Sequence, residues 1–166
     1  MKCMPSAISS LMLLSLAGCS SEPERTHFFA SRLPPAATAI ASGPTAAFSA
    51  AVLVGNALYV SGGIDVDDAT GKLGGNAEES AKFALEGLKK SVERAGMSMD
   101  DLVWVQVFCT DLSYYTTFNT VYKTYFHGDL PARAFLGVDH LLANAHFEVM
   151  GIAVRKTASS RIVHRG

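Results

Sequence analysis

Two charged residues stand inside stretches that are otherwise apolar. Arg133 lies in residues 130–138, LPARAFLGV, and Glu148 in residues 146–154, HFEVMGIAV. Both stretches read as β-strands, and Pro131 marks the start of the first. A guanidinium is a planar fork that grips a carboxylate through two N–H bonds and stays charged at any working pH. A carboxylate in a partly dry pocket can orient or deprotonate a water. The pair therefore suits attack of water on a small acidic substrate. A structural ion pair explains the same pattern equally well, because a charge buried in a strand is costly unless it is paired or used.

Other chemistries find no support in the spacing. His27, His127, His140, His146 and His164 lack zinc-like intervals, and no Gly-x-Ser-x-Gly elbow occurs. Each histidine is read as surface or satisfied core. Gly71-Lys72 is followed by Leu73, and Val66 stands where a phosphate loop needs its first glycine, so that motif and the dinucleotide fingerprint both fail. Asp65, Asp67 and Asp68 lack calcium-loop spacing and read as a solvated turn. No metal or cofactor is expected. Fourteen Lys and Arg against fifteen Asp and Glu, without a basic cluster, argue against a nucleic-acid surface.

The N-terminus reads as a targeting segment. Lys2 precedes an apolar run too short to span a bilayer as a mature helix. The run ends in Leu16-Ala17-Gly18-Cys19, which resembles the lipobox of bacterial lipoproteins. That class is cut before the cysteine, which is then lipidated, and the absence of Asp after Cys19 favours the outer membrane. Residues 1–18 are thus expected to be a signal peptide. Residues 19–47 read as the lipidated Cys19, a Pro/Ala-rich tether and an edge strand within residues 26–31. A domain fills 48–156 and a tail 157–166. Cys109 is then alone and reads as a small buried hydrophobe rather than a nucleophile.

Within the domain, residues 50–54 and 57–61 flank Gly55-Asn56, a hairpin signal. Gly62-Gly63 is expected to close the second strand, with a turn-rich loop to Gly75. Residues 76–95 form a helix, capped by Asn76 with a capping-box Glu79 and stopped by Gly96. Its apolar stripe is Ala81, Ala84, Leu85, Leu88 and Val92. Residues 101–110 form a strand with Val103, Val105, Val107 and Cys109 on one face. A second helix over 113–126 presents Phe118, Val121, Tyr122 and Tyr125 as core packing. This order predicts an α+β fold, a sheet with both helices on one face. The last strand is apolar on both sides, with Phe147, Val149 and Ala153 opposed to Met150, Ile152 and Val154. Its second face is therefore expected to be buried by other subunits.

From about Phe48 to Lys156 the chain resembles the RidA (YjgF-type) reactive-intermediate deaminase family. The matching stretches are Gly55-Asn56, Val60-Ser61-Gly62, Thr70-Gly71, the helix ending Ala95-Gly96, and residues 107–112 running into Phe118-Asn119. Leu130-Pro131-Ala132-Arg133 and Phe147-Glu148 with residues 152–154 complete the match. The resemblance implies a chorismate-mutase-like fold, a homotrimer, and pockets between subunits. It implies cofactor-free hydrolysis of 2-imino acids or enamines to 2-oxo acids and ammonia. Arg133 would hold the substrate carboxylate, Glu148 would activate water, and Phe48, Ser61, Gly62, Asn119 and Phe135 would line the pocket. Phe48 replaces a usual Tyr, Ala47 a usual Pro, Gly63 a common Gln, and Phe135 a small Cys. The expected partners are a 2-imino or 2-oxo carboxylate and other copies of the chain. The membrane enters only through the lipid on the periplasmic side. The alternative is a carboxylate-binding trimer of the same fold that hydrolyses nothing. A ribonuclease activity has no basic surface behind it.

Overall fold

A computed structural model of the protein describes residues 23–29 and 47–156. The expected signal peptide, Cys19, most of the expected tether and the expected tail lie outside the described residues. Six strands form one mixed sheet: β1 (Arg25–Phe28), β2 (Ala51–Val54), β3 (Ala57–Ile64), β4 (Leu102–Cys109), β5 (Ala132–Gly137) and β6 (Phe147–Val154). Their order is β1-β2-β3-β6-β4-β5, and every neighbouring pair is antiparallel except β4–β5. Two helices, α1 (Ala77–Arg94) and α2 (Tyr115–Lys123), cover one face.

Local chemistry explains the elements. Gly55 takes φ +59 at the first position of the two-residue β2–β3 turn, where glycine is at least cost. The Asn76 side chain accepts the Glu78 and Glu79 N–H at 3.1 and 3.0 Å, a cap contributing about 1 kcal/mol. The Glu79 carboxylate takes the Gly75 N–H at 2.7 Å, one residue earlier than a capping box would place it. Gly96, at φ +70, donates to the Glu93 carbonyl, and the Met97 N–H reaches that of Val92. This double closure ends α1. The predicted stripe Ala81, Ala84, Leu85, Leu88 and Val92 is buried, against Val60, Val105, Val107, Phe147 and Val149 from the sheet.

Four expectations are corrected. Gly62-Gly63 does not end β3 but lies inside it, where the register with β6 shifts between Val60 and Gly63. Val103 is exposed and Leu102 buried, because the β4–β6 register shifts between Leu102 and Trp104 and turns Val103 outward. The second helix begins as a 3₁₀ turn over Leu112–Tyr114 and is α-helical only over Tyr115–Lys123. Asp65 belongs to no solvated turn: it is fully buried.

Among the described residues nothing covers the sheet face away from the helices. Tyr59, Trp104 and Leu136 are exposed there, and Met150, Ile152 and Val154 only half-buried. The apolar opposite side of the last strand thus has no partner among the described residues.

Candidate functional site

β5 is an edge strand, and Arg133 lies on it level with the fully buried Val105 of β4. Paired positions share a face, so Arg133 points to the helix side of the sheet. There its Nη2 donates to the Asn119 Oδ1 at 2.6 Å. Its Cζ lies 4.6 Å from the Tyr122 ring centroid, 5.6 Å from that of Phe135, and 5.9 Å from those of Tyr115 and Phe118. Cation–π contacts of this kind contribute about 0.5–2 kcal/mol, more as water is removed. A guanidinium has five N–H donors. Asn119 uses one, Tyr115 also draws on the guanidinium, and the ion pairs among the described residues join other side chains. Arg133 is held in place with donors left for an incoming carboxylate.

The α2 helix builds this nest by its period. Tyr115 and Asn119, and Phe118 and Tyr122, are four residues apart and so meet the strand together. Phe135 packs edge-on against Tyr115, centroids 5.0 Å apart, and against Phe118 at 5.4 Å. Tyr115 is half-exposed, and the Asn119 hydrogen bond, followed by the Arg133 charge, holds its phenol below the ordinary tyrosine value of 10. Burial pushes the Tyr122 phenol up to about 12, with Arg133 opposing. The Tyr122 hydroxyl is buried and has no hydrogen-bond partner among the described residues. From the sequence Tyr122 is read only as core packing of this helix, and Tyr115 is not named. The signal available was their spacing around Asn119, four residues before it and three after it, which puts all three on one helix face.

Glu148 lies elsewhere. It is paired with Ile64 on one side and Phe108 on the other, on the face away from the helices. Its carboxylate passes over the Gly62 Cα so closely that an added Cβ would lie 2.9 Å from Glu148 Cδ. Gly62 is what makes room for it. The Ser61 Oγ donates to the Ser49 carbonyl at 2.7 Å, and Ser61 N–H to that of Ala50 at 2.9 Å. Phe48, 55 % exposed, therefore stands beside the same end of β3.

The predicted residues thus form two groups. Arg133, Asn119 and Phe135 gather on the helix side at the β5 edge, and Glu148, Gly62, Ser61 and Phe48 gather at the end of β3. Strand β4 separates Arg133 from Glu148, and their register levels differ by three residues. At about 4.8 Å per strand and 3.3 Å per residue, the two Cα atoms are roughly 14 Å apart, with side chains on opposite faces. The ion pair within one chain is excluded.

A third cluster has the composition of a hydrolytic triad. The Asp65 Oδ1 accepts the N–H of His146 at 2.9 Å and of Phe147 at 3.2 Å, and its Oδ2 faces His146 Nδ1 at 3.1 Å. The Ser80 Oγ lies 3.1 Å from the same Nδ1. A relay needs serine and aspartate on different ring nitrogens. With both on Nδ1, and Ser80 fully buried, no serine nucleophile is formed.

Comparisons with known proteins agree on one family. The family model described as Endoribonuclease L-PSP matches residues 37–155. The chain is 43 % identical over 111 residues to the rat 2-iminobutanoate/2-iminopropanoate deaminase, covering 66 % of this chain and 80 % of that one. Among solved structures it is similar to the YjgF gene product of E. coli, at TM-score 0.68 and 30 % identity, over 79 % of this chain and all of that one. E. coli TdcF with bound serine gives TM-score 0.65 and 32 % identity, over 70 % and 94 %.

Proposed function

The chain belongs to the Endoribonuclease L-PSP family, the RidA/YjgF family, and from that premise we propose that it hydrolyses 2-imino acids to 2-oxo acids and ammonia. The pocket is completed between subunits. One observation carries this reading: Arg133 is presented with donors to spare, while the carboxylate of Glu148 lies across the sheet from it. The edge of one copy set against the open face of another supplies both. The apolar face that the described residues leave open, with Tyr59, Trp104, Met150 and Ile152, supports burial in a closed homotrimer.

In the reaction, Arg133 clamps the substrate carboxylate through two parallel N–H bonds. Glu148 of the neighbouring copy takes a proton from water as its oxygen bonds to C2 of the imine. The C=N electron pair moves to nitrogen, which is protonated. The resulting carbinolamine then releases ammonia as its hydroxyl oxygen forms the carbonyl, losing its proton. No oxidant or reductant is consumed. Holding imine, water and base together supplies much of the acceleration, because the imine is already reactive.

The test is to generate 2-iminopropanoate with an amino-acid oxidase and follow its decay with the purified protein. Faster decay, lost in Arg133→Ala and in Glu148→Gln, is the expected result. Mixing those two inactive variants through subunit exchange should restore about one quarter of wild-type activity, since one seam in four pairs an intact Arg133 with an intact Glu148. No acceleration with any 2-imino acid would leave a carboxylate-binding trimer. No recovery on mixing, with exchange verified, would place the site within one chain. We also propose delivery to the cell envelope by lipidation at Cys19. Mass spectrometry of the native protein should show the acyl mass there, and its absence from envelope fractions would refute this.

A further inference from the structure

Glu148 is the second residue of β6, just beyond a backbone that is not at rest. Ala143 and Asn144 take φ +57 and +59. A left-handed conformation costs a non-glycine residue on the order of 1–2 kcal/mol, and it persists only where the surroundings hold it. Two residues later comes His146. Glu148 is the last residue of β6 paired with β3, at Ile64, and the ladder shifts between Val60 and Gly63, around the Gly62 that its carboxylate overlies. The β3–β6 ladder ends at the Ile64–Glu148 pair, so it does not itself tie His146 and Phe147 to the end of β3.

Asp65 does. It follows β3 directly and is fully buried. Its carboxylate takes the backbone N–H of His146 and of Phe147 and faces the His146 Nδ1, while its own N–H donates to the Phe147 carbonyl at 3.2 Å. A buried carboxylate is tolerated only when so satisfied. The imidazole is oriented in turn: Ser80 Oγ meets the same Nδ1, and Tyr114 packs edge-on at 5.9 Å. One carboxylate thereby joins the end of β3 to the start of β6 through backbone and ring together.

We propose that Asp65 and His146 are a positioning pair, which fixes the first residues of β6 so that the Glu148 carboxylate stands over Gly62 where it can direct water. This rests on the hydrolytic reading above. Neither residue touches substrate; both act through Glu148. Loss of the pair therefore lowers turnover and leaves the carboxylate clamp at Arg133 intact, since the clamp is built from α2 and β5.

The experiment compares wild type, Asp65→Asn, His146→Ala and His146→Asn on 2-iminopropanoate, with binding of the 2-oxo product measured by calorimetry. Asparagine at position 146 can place a side-chain N–H close to where Nδ1 stood. Asp65→Asn and His146→Ala should lower kcat by roughly 10- to 100-fold, the effect of about 1 Å of misplacement. KM and product binding should stay within about two-fold, and His146→Asn should recover most of the lost kcat. Should Asp65→Asn fail to fold, the two His146 variants decide alone. Wild-type kcat in His146→Ala, equal kcat in His146→Ala and His146→Asn, or a parallel loss of product binding overturns the proposal. A wild-type protein without imine hydrolysis, seen in the same assay, overturns the reading beneath it and this proposal with it.

Discussion

Replacing Gly62 with alanine probes the role of Glu148 without removing any polar group. The added methyl would lie 2.9 Å from Glu148 Cδ and 3.2 Å from Cγ, with Oε1 nearer still. Non-bonded carbons settle at about 3.5–4.0 Å, so the carboxylate must swing by on the order of 1 Å. Glu148 is only half-buried and has space to move. A forced rotamer change costs about 0.5–1.5 kcal/mol. Gly62 is not among the positive-φ glycines, so the backbone accepts alanine. Stiffening the unfolded chain returns about 0.4–1 kcal/mol. The net change in stability is then within about 1 kcal/mol. Turnover behaves differently, because an error of about 1 Å in a reacting group costs roughly 100-fold, or about 2.7 kcal/mol of barrier. Denaturant unfolding reads the first quantity, and imine decay the second. The expected pattern is a near-wild-type midpoint, kcat down about 100-fold, and unchanged binding of the 2-oxo acid. Wild-type kcat in Gly62→Ala would refute the placing of Glu148 at the reaction, and so would a loss confined to binding.

Arg133→Ala removes charge-assisted bonds worth about 1.5–3 kcal/mol each and should weaken 2-oxo acid binding by roughly 10- to 1000-fold in a calorimetric titration; Arg133→Lys should recover little, because an ammonium lacks the fork. In an ultraviolet titration the Tyr115 phenol should ionise below 10, and in Arg133→Ala its value should rise, since that charge is one of its two main causes. The folded state holds the Tyr122 proton up to about 12, above the unfolded value of about 10. Its contribution is therefore complete below pH 10 and lost as pH rises to 12, at about 1.4 kcal/mol per pH unit, a slope that unfolding at stepped pH should show and Tyr122→Phe should remove. Phe135→Ala takes away both edge-on contacts, with Tyr115 and Phe118. It should cost about 2–3 kcal/mol in denaturant unfolding and raise kcat/KM for bulkier imino acids relative to 2-iminopropanoate; an unchanged preference would remove Phe135 from the pocket.

Much was legible in the sequence because it is written in local patterns. The 3.6-residue stripe of α1, its Asn76 cap and Gly96 stop, the Gly55-Asn56 turn and the two-sided apolar β6 depend on neighbours in the chain. The charges at Arg133 and Glu148 were conspicuous for the same reason, each alone in an apolar strand. What the sequence could not supply was face and partner. A register shift of one residue turns a side chain to the other side of a sheet. Such shifts, at Val60–Gly63 and Leu102–Trp104, moved Val103 outward and kept Gly62 inside β3 beneath Glu148. Only the strand pairing shows that Arg133 and Glu148 point from opposite faces, which removes the candidate ion pair between them. Asp65 looked like a loop aspartate because its partners, His146 and Phe147, lie more than eighty residues away in the chain. Side-chain type and spacing are local quantities that the chain carries by itself. Burial and convergence belong to contacts between distant segments, which exist only once the sheet has assembled.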